Sequence, residues 1–171
     1  LWVGPDGAVH IVWTERALDE RLRPKFFPEA KQSHSMNYAL VRDGKVILRR
    51  TLLAAEEGGS KEIPSAARFQ VTPDNRLLVF FYVSGTDSAG RGVSENRLME
   101  VTAGGSVGGS VRVPLKIPFT GYFTATVRAG SPASNTIELL GHRAGKSMTI
   151  SYARINVLSA SSVAGDPRIL R

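Results

Sequence analysis

Apolar residues recur along this chain with a period of two, not of three to four. Val9, Ile11 and Trp13 alternate with His10, Val12 and Thr14, Phe69 and Val71 with Arg68 and Gln70, and Tyr122, Thr124 and Thr126 with Phe123, Ala125 and Val127. Because successive side chains of a strand point to opposite faces, this spacing predicts β-structure throughout. Leu77–Val83 breaks the alternation by being apolar at almost every position. A short run of this kind predicts a strand buried on both faces, in the middle of a sheet with neighbours on either side. Helical spacing occurs once, at Thr14–Leu22, where Ala17, Leu18 and Leu22 would line one short surface turn before Pro24 stops it. The turns carry suitable chemistry. Pro5-Asp6-Gly7, Pro73-Asp74-Asn75 and Asp43-Gly44 all favour tight connections between antiparallel strands.

The pattern is said three times. VGPDGAVHIVWTE leads to SMNYALVRDGKVILRRTLL; ARFQVTPDNRLLVFFYVSG leads to ENRLMEVTAGG and SVRVPLKI; YFTATVRAGSPASNTIELLGHRAG leads to SMTISYARINV. Repetition at a spacing of about 50–65 residues belongs to stacked all-β units such as propeller blades. The expected architecture is all-β: a partial β-propeller of about three four-stranded antiparallel blades at 1–54, 65–117 and 119–158. An exposed linker rich in Gly, Ser and Glu spans 55–64, and 159–171 is a tail or the start of a further blade. In the third unit SPASN replaces the Pro-Asp-Gly turn. Three blades are too few for a ring on the usual plan of about four to eight. The expectation is therefore a fragment, completed by missing residues or, less readily, by a second chain.

Composition narrows the function classes only a little. The 171 residues are 42% hydrophobic and 22% charged, with no cysteine, which excludes disulfides and thiolate metal sites. No apolar run approaches the roughly 20 residues of a membrane-spanning helix. The formal charge of +7 is uneven: residues 1–60 hold nine Lys/Arg and eight Asp/Glu, and residues 61–171 hold thirteen and seven. The bias suits an acidic carbohydrate or other anionic ligand, but no basic cluster accompanies it, which argues against nucleic acid. Three histidines scattered at positions 10, 34 and 142 argue against a protein-ligated transition metal, and no cofactor motif occurs.

AARFQVTPDNRLLVFFYV, and VGPDGAVHIVWTE followed by MNYALVRDGKV, resemble the blades of sialidase-like (BNR-repeat) β-propellers. The Asp-box S-x-D-x-G-x-x-W is not intact: Arg42–Val46 keeps Asp-Gly and lacks the Trp. The resemblance implies a carbohydrate-active propeller, of glycoside hydrolase or polysaccharide lyase type, or a non-catalytic binding or assembly module. It also implies a secreted or periplasmic location. Fold analogy does not choose among these functions.

In such a propeller the loops at Arg16–Ser35, Ala54–Ser65, Gly85–Ser94, Ile117–Gly121 and Gly141–Lys146 gather on one face. The first is long, and its Arg23, Lys25, Phe26 and Phe27 suit sugar stacking beside carboxylate capture; alternatively Phe26 and Phe27 anchor the loop on its own sheet. Arg68 opens the second inner strand, where arginines of sialidase-like enzymes bind a substrate carboxylate, and Arg128 is its counterpart in the third unit. Glu15 with Asp87 would form an acid/base pair for glycoside cleavage. His142 with Arg143 would move a proton near neutral pH. His10 reads as a packed strand histidine, and Tyr38, Tyr82 and Tyr152 as packing between sheets.

Overall fold

The structure, a computed structural model, describes residues 1–59, 61–102, 106–123 and 132–157. It is all-β, with three antiparallel sheets of 4, 4 and 3 strands. Sheet one orders β1 (Trp2–Val3), β2 (Val9–Arg16), β3 (Ser33–Arg42) and β4 (Lys45–Glu56). Sheet two orders β5 (Lys61–Val71), β6 (Leu77–Thr86), β7 (Gly92–Val101) and β8 (Val111–Val113). Sheet three orders β9 (Phe119–Tyr122), β10 (Thr136–Arg143) and β11 (Lys146–Asn156). Each strand pairs with its sequence neighbours, as tight turns require.

Turn chemistry sets the hairpins. Asp43 and Gly44 both take positive φ (50° and 71°) between β3 and β4, as a primed turn demands. Gly7 and Asn75 occupy matching turn positions before β2 and β6, with φ of 76° and 63°. Asn stands in for Gly there because its short amide tolerates the left-handed region.

The core sits in two layers, one on each face of β6. Leu77, Val79, Phe81 and Val83 pack with Met36, Tyr38, Leu40 and Phe69 between sheets one and two. Leu78 and Phe80 pack with Leu98, Val113, Phe119, Ile137 and Leu139 between sheets two and three. The apolar run is therefore buried on both faces, as its composition predicts. The first strand of each later sheet lies against the sheet before it, β5 on β2 and β3 of sheet one and β9 on β5 and β6 of sheet two. A second sign of repetition is Gly85 of β6 and Gly141 of β10. A Cβ at either would fall about 2 Å from a backbone oxygen of the preceding strand, Lys61 O at 1.9 Å or Gly121 O at 2.0 Å.

One bulge decides how sheet two faces its neighbours. Ser65 pairs with Tyr82 and Arg68 with Phe80, so Ala66 and Ala67 together oppose Phe81. Ala66 takes φ 46° to accommodate the extra residue. Beyond the bulge, Phe69 and Val71 turn toward sheet one.

Several expectations change. Thr14–Leu22 is not helical: β2 runs through Arg16, and the short helix α1 (Arg23–Phe26) begins with Pro24 in its first turn. Proline starts this helix instead of stopping one, since its missing N–H has no intrahelical partner there. The 55–64 linker is mostly strand, because β4 reaches Glu56 and β5 begins at Lys61, with Ala55 and Pro64 buried. Sheet three has three strands among the described residues, not four. Arg128, the start of the SPASN turn, the Thr124–Val127 alternation and the 159–171 tail lie outside the described residues. No helix among the described residues is long and apolar enough to cross a membrane.

Candidate functional site

The long connection from β2 to β3 is built around a buried amide. Gln32 donates through Nε2 to Leu18 O (2.9 Å) and Glu20 Oε1 (2.6 Å), and its Oε1 accepts from the Leu18 N–H (3.1 Å). The Gln32 N–H donates to Glu57 Oε2 at 3.0 Å, and the Glu57 N–H donates back to Gln32 O at 2.9 Å. The loop is thereby pinned to the end of β4. The backbone bond from Gln32, aided by the Arg23 guanidinium, holds the Glu57 carboxyl below its ordinary range. At the loop's start, Asp19 accepts from the Arg21 guanidinium and backbone N–H, which brings its carboxyl down to about 2.

Between this loop and sheet two lies a cleft of about 450 Å³ lined by Arg23, Gln32, His34, Glu56, Glu57, Lys61 and Gly85, among others. Its floor is the open end of the β5–β6 pair, where Lys61 and Thr86 face each other. Glu20, Glu56 and Glu57 supply three carboxylates against the two cations Arg23 and Lys61. The interior thus carries more acidic than basic groups, although the chain as a whole is cationic.

Arg23 is engaged inside the cleft wall, paired with Glu57 and, at 3.8 Å, with Glu20. Lys25, Phe26 and Phe27 stand outside. Phe26 and Phe27 are 56% and 52% exposed, so they do not anchor the loop; Gln32 does. Their ring centroids lie 6.5 Å apart, and Lys25 Nζ sits 5.1 Å from the Phe26 ring. The three form an exposed aromatic edge capped by an ammonium that makes no ion pair among the described residues.

The other predicted residues are dispersed. Arg68 is buried between sheets two and three, donating through Nη1 to Glu138 O at 3.0 Å. Burial lowers its pKa, with the neighbouring Tyr122 opposing. It acts as a tie between sheets and offers no open fork to a ligand. Glu15 accepts from Trp13 Nε1 at 3.0 Å and lies 3.9 Å from Arg49, within sheet one. Asp87 is consumed by its own turn: Oδ1 accepts from the N–H groups of Ala89 and Arg91, and Oδ2 from the Arg91 guanidinium. Those bonds, the Arg91 backbone first, lower its pKa. Glu15 and Asp87 have no partner in common, and no hydrogen bond or ion pair joins them among the described residues.

His142 lies at the end of β10 with its ring edge-on to Phe123 at 4.8 Å. Its Nδ1, and Nε of Arg143 beside it, are buried without a hydrogen-bond partner. A bulge between these two residues turns the strand. His10 is buried and bonded through Nδ1 to Tyr38 Oη at 2.7 Å, in keeping with a packed histidine. Tyr38 is fully buried, Tyr82 half-buried with its hydroxyl on Ser94, and Tyr152 exposed.

Sequence reasoning passed over Gln32, Glu57 and Lys61. Gln32 and Glu57 sit in polar segments whose residue types are ordinary for a loop, and no spacing marks them. Among the described residues no cluster of His, Asp and Glu could hold a metal ion. No family model matches the chain, and no curated protein or solved structure is significantly similar to it. Its class is therefore defined by the fold alone: an all-β chain of successive antiparallel sheets stacked face to face.

Proposed function

We propose that the three sheets are blades of a β-propeller of the sialidase-like type, and that this part of it binds a ligand without transforming it. The ligand is an acidic glycan held at the loop end. Its sugar ring lies on Phe26 and Phe27, and its carboxylate meets Lys25. The carrying observation is the exposed Phe26–Phe27 pair with Lys25 over it, presented on a loop that buried Gln32 already holds rigid. A preordered edge loses little entropy on binding. Against catalysis, Glu15 and Asp87 are each satisfied by local partners, so neither is poised to exchange a proton with a substrate.

Titration with polygalacturonate and with sialyl-lactose tests this reading, together with a search for cleavage products. Binding should occur without turnover. Phe26→Ala and Lys25→Ala should each weaken it by about tenfold, as a lost stacking or ionic contact of roughly 1.4 kcal/mol requires. Binding indifferent to both substitutions would overturn the site. Turnover abolished by His142→Ala would favour the enzymatic reading, whose support is the pair of unpartnered atoms on His142 and Arg143.

A further inference from the structure

The seam between sheets one and two opens at both ends. Its far end is a second cleft of about 510 Å³, closed below by Val71 and Leu77, which pair at the turn end of β5 and β6. Lys61 and Thr86, at the loop-end cleft, are ten and nine residues away along the same strands. At about 3.3 Å per residue the two clefts lie about 30 Å apart. The turns before β2 and β6, with Asp6 and Asn75, form the lips.

The groups that line this second cleft share one chemistry. The half-buried Trp2 ring stands against the His10 ring, centroids 4.9 Å apart, and gives one apolar wall. The bond from His10 Nδ1 to the Tyr38 hydroxyl holds that imidazole in place. Around the wall sit two carboxylates, a guanidinium and an amide: Asp6, Glu100, Arg76 and Asn75. The charges compensate locally. Asp6 Oδ2 is bonded by Arg42 at 2.7 Å, and Arg76 lies 3.1 Å from Asp74 and 3.9 Å from Glu100. Asn75 is exposed on a left-handed turn.

We infer that this turn-end cleft binds a neutral pyranose unit, one apolar ring face against Trp2 and the hydroxyls on Asp6, Asn75, Arg76 and Glu100. Planar carboxylate, amide and guanidinium groups each bridge neighbouring hydroxyls, and an aromatic wall takes the C–H face of the ring. The volume is at the small end of ligand pockets and suits one or two sugar units. An anionic sugar is disfavoured, because the carboxylates of Asp6 and Glu100 flank the space and the Arg42 and Arg76 cations already face carboxylates. The site is independent of the loop-end edge, so either can fail without the other.

The chain has two tryptophans, so Trp13→Phe, on a residue outside this cleft, leaves Trp2 as the sole tryptophan, excited selectively at the red edge where tyrosine does not absorb. That protein is titrated with methyl glucoside, methyl galactoside, methyl mannoside, N-acetylglucosamine and the disaccharides cellobiose and lactose, and with glucuronate and galacturonate, while Trp2 emission is followed. A saturable change with at least one neutral sugar is expected, with Kd on the order of millimolar for so small a ligand. Uronates should give a weaker response. Asn75→Gly, which keeps the left-handed turn, and Glu100→Gln should each raise Kd about fivefold or more without moving Tm, and Phe26→Ala should leave it unchanged. The inference is overturned if no neutral sugar perturbs Trp2, if uronates bind more tightly, if both cleft variants bind normally, or if Phe26→Ala abolishes the signal.

Discussion

The two seams of this molecule are joined by the same docking rule and held by different chemistry. Between sheets one and two the contact is large and apolar: Met36, Phe69, Val79, Phe81 and Val83 are all fully buried. Between sheets two and three an apolar layer is also present, but side-chain amides and a guanidinium stitch it to backbone. Asn96 donates through Nδ2 to Phe119 O (2.8 Å) and accepts at Oδ1 from the Phe119 N–H (2.7 Å). Gln70 donates to Ser134 O at 2.8 Å and Arg68 to Glu138 O at 3.0 Å. Asn96 also reaches the hydroxyl of Tyr122, whose pKa burial pushes well above the usual phenol range. The N–H and C=O of Phe119, at the start of β9, thus both take their partners from one side chain of sheet two. The apolar seam leaves clefts at its ends.

Substitutions that break each seam by its own logic test this comparison. Phe81→Ala should cost the most, about 3–5 kcal/mol, because it empties the middle of the first seam and the sheets on either side relax only partly. Chemical denaturation measures it, and a loss under 1 kcal/mol would mean the seam can collapse around the void. Asn96→Leu keeps the branching at Cγ and removes the hydrogen bonds, stranding both the N–H and the C=O of Phe119. The expected loss is about 2–3 kcal/mol. A neutral Asn96→Leu would show that the second seam is held by apolar contact alone and erase the distinction drawn between the two.

The smallest effect concerns pH. Burial lowers the pKa of His10; the Asp6 carboxylate opposes this in part and the Arg42 cation adds to it. The unfolded chain therefore takes up this proton at a higher pH than the native protein does. Stability is complete above the unfolded value near 6.5 and declines as pH falls below it toward the lower folded value. Urea midpoints at pH 7.5 and 5.5 should show this decline in the native sequence and a shallower one in His10→Phe. Equal slopes would place the acid sensitivity elsewhere.

Much of the fold is legible in the chain because it rests on local rules. Alternation at Val9–Trp13, the unbroken run Leu77–Val83 and the turns at Asp43-Gly44 and Pro73-Asp74-Asn75 specify strands, double-sided burial and hairpins within about ten residues of chain. His10 as a packed histidine follows from its place mid-strand. The candidate site was legible only in part. The long loop was singled out by its length, and its Phe-Phe edge by residue type. Yet Arg23 proves to be a wall of the cleft, and of the two alternatives for Phe26 and Phe27 their exposure removes the anchoring one.

The chain alone determined that strands form, which one is buried twice, and where the turns fall, since neighbours in sequence settle those matters. Tertiary structure decided which polar groups are ties and which are open. Arg68 illustrates the reason. Its partner, the carbonyl of Glu138, lies 70 residues away. The phase that aims it there depends on two alanines opposing one phenylalanine at the Ala66–Ala67 bulge. A register shift of that kind reverses the facing of every later side chain in the strand, and it arises from how sheets stack, not from any residue's own preference.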